Sequence, residues 1–120
     1  MNCLKLCESD YRFMCVVWDN EPLSSKRLVE LCAQHLGWKK STTYTVLKKM
    51  TEKGFAKNDD AVVSSLVRRE AVQKSASEHF VEHTFQGSLP DFLTAFFQGK
   101  KLSEKEAAEL KSLIDNYKEV

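Results

Sequence analysis

Apolar residues recur along most of this chain at helical spacing, with one short stretch in the middle where they do not. Phe13, Val16 and Val17 fall at i, i+3, i+4, and Met14 with Trp18 widens the stripe. This predicts a core-facing helix capped by Ser9 and running to about Asp19. Asn20-Glu21-Pro22 breaks it. Ser24 or Ser25 opens a second helix, with Leu28, Leu31, Cys32 and Leu36 inward and Gly37 at the left-handed position beyond its end. Trp38-Lys39-Lys40 forms a short connection. A third helix starts at Ser41 or the residue before it, carries Val46, Leu47 and Met50 inward, and ends at Gly54. Two helices joined by a short Gly-containing turn fit the helix-turn-helix pattern.

The period then changes. Phe55-Ala56-Lys57 and Val62–Val67 are short and β-branched, and the turn cluster Asn58-Asp59-Asp60 lies between them. They predict a two-stranded hairpin, which makes the motif winged. Helical spacing returns over Glu70–Phe85, with Val72, Ala76, Phe80 and Phe85 inward. A short apolar helix follows over Leu89–Phe97, after Gly87-Ser88. Ser103-x-x-Glu106 is a capping box for a last helix bearing Ala107, Leu110, Leu113, Ile114 and Tyr117 on one face. The expected fold is mainly α: a winged helix-turn-helix domain over residues 1–69 and a helical dimerisation domain over 70–120. The C-terminal helices are too small and apolar to form an independent monomeric core, so Phe80, Phe92, Leu93, Phe96, Leu110, Leu113, Ile114 and Tyr117 are expected to pack against a second copy.

Composition is globular, with 42% hydrophobic and 29% charged residues. No apolar run approaches a membrane span, and no secretory signal pattern opens the sequence, so a cytoplasmic location is expected. The net charge of +1 gives no global argument for nucleic acid. Its distribution does: Ser24–Gly54 holds seven basic residues against two acidic ones, whereas Ser103–Val120 holds three against five. A basic front beside an acidic tail points to a polyanion-binding part and a part with another task.

The tract Lys39–Met50 concentrates that basic charge. One side of its helix is apolar; the other carries Ser41, Thr42, Thr45, Lys48 and Lys49. Hydroxyls and free N–H groups at a helix start suit phosphates or base edges, and lysines farther along neutralise phosphates. The same polar face also fits a merely solvated helix. The preceding helix and following hairpin favour DNA. The candidate DNA-binding residues are Lys40, Ser41, Thr42, Thr43, Thr45, Lys48, Lys49 and, beside an acidic wing tip, Arg68.

Catalytic patterns are absent. His79 and His83 share a helix face at i, i+4 around Glu82, but the segment is not His-Glu-x-x-His. No Gly-rich phosphate loop or Gly-x-Ser-x-Gly elbow occurs. Cys3 and Cys7 would share a face if helical, while Cys15 and Cys32 read as packed thiols; no metal or cofactor is expected. Trp18 and Trp38 read as packing anchors. Two alternatives to a DNA-binding regulator remain: a winged protein-interaction module, and a metal-responsive regulator using His79, His83 or the N-terminal cysteines.

Three stretches carry a family resemblance. Asp10–Trp18 resembles the first helix of the penicillinase and methicillin-resistance repressors. Trp38-x-x-Ser41-Thr42-Thr43-x-Thr45-Val46-Leu47-x-x-Met50-x-x-Lys53-Gly54 resembles their recognition helix. Phe85–Leu89 with Leu102–Ile114 resembles their dimerisation region. The resemblance implies a non-enzymatic homodimeric repressor on a palindromic operator, with one recognition helix per half-site. It also implies induction by a membrane-bound sensor peptidase through cleavage in the dimer arm, the matching bond being Ala95–Phe96. Family members often have Asn at the first of these positions. The copper-responsive branch ends in paired Cys-x-Cys motifs, and this chain has no cysteine after Cys32.

Overall fold

The structure is a computed structural model and describes residues 4–119. Six helices and three short strands follow one another as α1 (Glu8–Asn20), β1 (Leu23–Ser24), α2 (Ser25–Leu36), α3 (Lys40–Glu52), β2 (Ala56–Asp59), β3 (Val62–Ser65), α4 (Arg69–Phe85), α5 (Leu89–Phe97) and α6 (Glu104–Tyr117). This is the expected mainly-α winged helix followed by a helical C-terminal segment. The chain divides into two compact units, Met1–Phe80 and Val81–Val120, with the division falling inside α4.

The first unit is built on the predicted stripes. Phe13, Met14 and Val17 of α1, Leu28, Leu31 and Cys32 of α2, Leu47 and Met50 of α3, and Val63 of the sheet form one buried cluster, which Val72 of α4 joins. Trp38 stacks on Phe13, ring centroids 6.1 Å apart and 9° between planes, so it wedges the α2–α3 turn against α1. Gly37 supplies the left-handed turn residue at φ 70°. The N–H groups of Gly37 and Trp38 donate back to the carbonyls of Ala33 and Cys32, satisfying the end of α2. Trp18 is an anchor as well: its indole N–H donates to the Val67 carbonyl at 3.0 Å.

Several details differ from the sequence reading. Helix α1 starts at Glu8 with Cys7 as its N-cap, which makes no side-chain capping bond; Ser9 lies inside the first turn. The preceding Leu4 and Leu6 pack on the core, and the Leu4 N–H donates to Ser75 Oγ, so tertiary packing sets the helix start. The wing gains a third strand. β1 pairs antiparallel with β3 in the sheet order β1-β3-β2. Two residues are too few for any period to announce. The hairpin turn is Asp60-Ala61, not Asn58-Asp59-Asp60; Asn58 and Asp59 belong to β2 and pair with Val63 and Val62. Asp60 and Ala61 both take positive φ, 52° and 63°, as a two-residue type I′ loop requires. The Ala61 carbonyl accepts from the Ser25 N–H at 2.9 Å, which pins this turn to the start of α2. In α4, Ala76 and Phe80 are exposed on the single chain and only Val72 is buried.

The second unit has ordered ends but no sealed interior. Ser103 caps α6 by accepting from the Glu106 N–H, as its capping box indicated, and Ser88, read only as part of the Gly87-Ser88 break, caps α5 by accepting from the Asp91 N–H. Phe85, Phe92, Phe96 and Phe97 touch in series, with neighbouring centroids 5.6–6.0 Å apart. Neither α5 nor α6 contains a buried residue.

Candidate nucleic-acid interface

Helix α3 presents its polar face as a continuous strip. Ser41, Thr45 and Lys48 are exposed at i, i+4, i+7, and Lys40 and Thr42 flank them, also exposed. Lys39, the N-cap, makes no side-chain capping bond, and the first intrahelical N–H donor is Thr43. The first-turn N–H groups therefore open outward between two lysines, an arrangement that suits an anionic oxygen. The Thr45 hydroxyl donates to the Ser41 carbonyl at 2.9 Å, which leaves its oxygen as an acceptor and its methyl for apolar contact.

Two of the predicted contact residues are placed elsewhere. Thr43 is fully buried. Its hydroxyl donates to the Lys39 carbonyl and faces Cys32, whose thiol is pushed up by burial, an effect the hydroxyl partly offsets. The reason is phase: Thr43, Leu47 and Met50 share the inner side of α3 at helical spacing. Lys49 is half-exposed, and its ammonium lies 2.7 Å from the carboxylate of Asp10 in α1, itself buried. Hydrogen bonding to Asp10 pushes the Lys49 pKa up.

Arg68 is exposed just beyond β3, with Glu70 at 3.7 Å as a loose counter-charge. Arg69 is not a comparable wing cation. It pairs with Asp19, and its guanidinium lies over Trp18 at 5.4 Å, which ties α4 to α1. Asp59 and Asp60 stand exposed at the wing tip.

The sequence reading passed over Tyr44. It is 38% exposed on α3 beside Lys48. With Leu47, Lys48, Thr51, Glu52 and Asn58 it lines a groove of about 310 Å³ between α3 and β2. Its spacing from Ser41 and Lys48, at i+3 and i−4, was the available signal. Asp10 was also missed, because an acidic residue in a first turn ordinarily faces water.

Elsewhere, Ala95 and Phe96 are exposed in the last turn of α5. Of the expected interface residues, Phe80, Phe96, Leu113, Ile114 and Tyr117 are exposed, and Phe92, Leu93 and Leu110 are half-buried. Cys7, Cys15 and Cys32 are free thiols, while Cys3 lies outside the described residues. His79 and His83 sit on α4; among the described residues no group of three or more His, Cys, Asp or Glu side chains is placed to hold a metal ion. No described helix is long and apolar enough to cross a membrane. A family model described as penicillinase repressor matches residues 6–116. No curated protein matches the chain.

Proposed function

Because this chain belongs to the penicillinase repressor family, we propose that it is a dimeric transcriptional repressor without catalytic activity that reads a palindromic operator through α3. The observation that carries this reading is the outer strip of α3, where Ser41, Thr45 and Lys48 lie exposed beside an uncapped, lysine-flanked helix start. Lys40, Lys48 and Arg68 would neutralise phosphates. Ser41, Thr42, Thr45 and Tyr44 would face base edges or sugar-phosphate oxygens. The carboxylates of Asp59 and Asp60 repel phosphates, so α3 would supply most of the affinity. The exposed apolar residues of α5 and α6, with Phe80, would be covered by the second copy.

Induction would follow cutting at Ala95–Phe96 by a membrane-bound sensor peptidase. That bond lies in the last turn of α5, so one turn must unwind before it enters an extended protease cleft. Cutting there would separate α6 from α5 and so divide the apolar face.

The test is titration of the protein with the duplex it selects from a random-sequence pool. A two-fold-symmetric duplex should be recovered, and log affinity should fall linearly with log salt. Lys48→Ala should weaken binding and reduce that slope by about one. Recovery of no duplex at low salt would refute the reading.

A further inference from the structure

The ion pair between α1 and α3 lies off the exposed strip of the proposed interface, and its two partners are unequal. Asp10 is only 2% exposed. It is the third residue of α1, where unsatisfied N–H groups favour a negative charge. A carboxylate buried so far needs a counter-charge. Lys49 supplies it, reaching from the flank of α3 to Asp10 Oδ2 at 2.7 Å. Its ammonium is held in the charged form by that contact. The neighbouring Lys48 points to solvent. Phe13 and Met14 of α1 and Leu47 and Met50 of α3 belong to one buried core, whose apolar cohesion is strong but non-directional. A charged hydrogen bond at a fixed point adds the direction that cohesion lacks.

We propose that Asp10 is a positioning residue for DNA binding: its carboxylate holds Lys49 against α1, fixes how α3 presents its outer strip, and withholds Lys49 from the cations that neutralise phosphates. This rests on the reading of α3 as the DNA-contacting helix. It separates two adjacent lysines by task, Lys48 for phosphate and Lys49 for the pose of the helix. The opposing possibility is that Asp10 merely masks a phosphate-contacting lysine. The two predict opposite signs when the carboxylate is neutralised.

The experiment measures affinity and salt slope for the selected duplex with full-length wild type, Lys48→Ala, Asp10→Asn, Lys49→Gln and the double variant Asp10→Asn/Lys49→Gln. Thermal melts identify a temperature at which all are folded. Asp10→Asn should weaken binding roughly tenfold, the size of effect residues remote from a ligand exert, with the salt slope unchanged. Lys49→Gln should do the same. The double variant, which restores a neutral hydrogen bond, should recover part of the loss. Tighter binding and a steeper slope in Asp10→Asn would overturn the proposal, as would a lowered melting temperature with unaltered affinity. If wild type binds a duplex and Lys48→Ala lowers the slope, either result defeats this inference alone. If wild type binds none, the DNA-binding reading falls first and this inference with it.

Discussion

The two units use apolar residues in opposite ways. In the first, Phe13, Met14, Val17, Leu28, Met50 and Val63 are almost wholly withdrawn from solvent, and the sheet and four helices close around them. In the second, α5 and α6 carry comparable apolar content but bury none of it completely, and Tyr117 is 82% exposed. Burial, not composition, turns apolar area into stability, at roughly 25 cal/mol per Å² removed from water. The first unit therefore holds what it needs within one chain. The second lacks an interior of its own, and a second copy is the occupant we propose for its face.

The strongest way to break this contrast is a cavity in the sealed unit. Phe13→Ala removes a fully buried ring and the face on which Trp38 stacks. It should cost about 3–5 kcal/mol, measured by urea unfolding, and the loss should be the same at all protein concentrations. A smaller effect of a different kind is expected from the open unit. Ile114→Ala, exposed on the single chain, should lower stability by roughly 1.5–3 kcal/mol, the range for a side chain fully covered at a dimer interface. Here the melting temperature should depend on concentration, and sedimentation equilibrium should shift toward monomer. A concentration-independent wild-type melt would remove the proposed partner.

The smallest effect concerns pH and the sealed unit alone. The Lys49 pKa is raised in the folded chain. The stability this contributes is therefore fully present below the ordinary lysine value, about 10.4, and is lost as pH rises through the higher folded value. The melting temperature of wild type should fall through this alkaline window slightly more than that of Lys49→Met. Equal slopes would show that the pair adds nothing measurable.

Local patterning determined a good deal. The helical spacing of Phe13, Val16 and Val17, of Leu28, Leu31 and Cys32, and of Leu47 and Met50 marked the inner faces of the first three helices. Gly37 and Ser103 marked ends because their chemistry is local: a left-handed φ, or a hydroxyl within reach of an N–H three residues on. The exposed strip of α3 was legible for the same reason, since helical phase alone puts Ser41, Thr45 and Lys48 on one side. Tertiary structure decided what depends on residues distant in sequence. Strand β1 exists because Leu23 and Ser24 meet Val63 and Val62. The wing turn moved to Asp60-Ala61 because that register buries Val63 and hands the Ala61 carbonyl to Ser25. Thr43 left the set of candidate contacts and Lys49 the polar face because Cys32 of α2 and Asp10 of α1 lie against those flanks of α3. A hydroxyl or an ammonium reads as solvent-facing along the chain, and only the neighbour that folding brings to it determines whether it meets water, a thiol or a buried carboxylate.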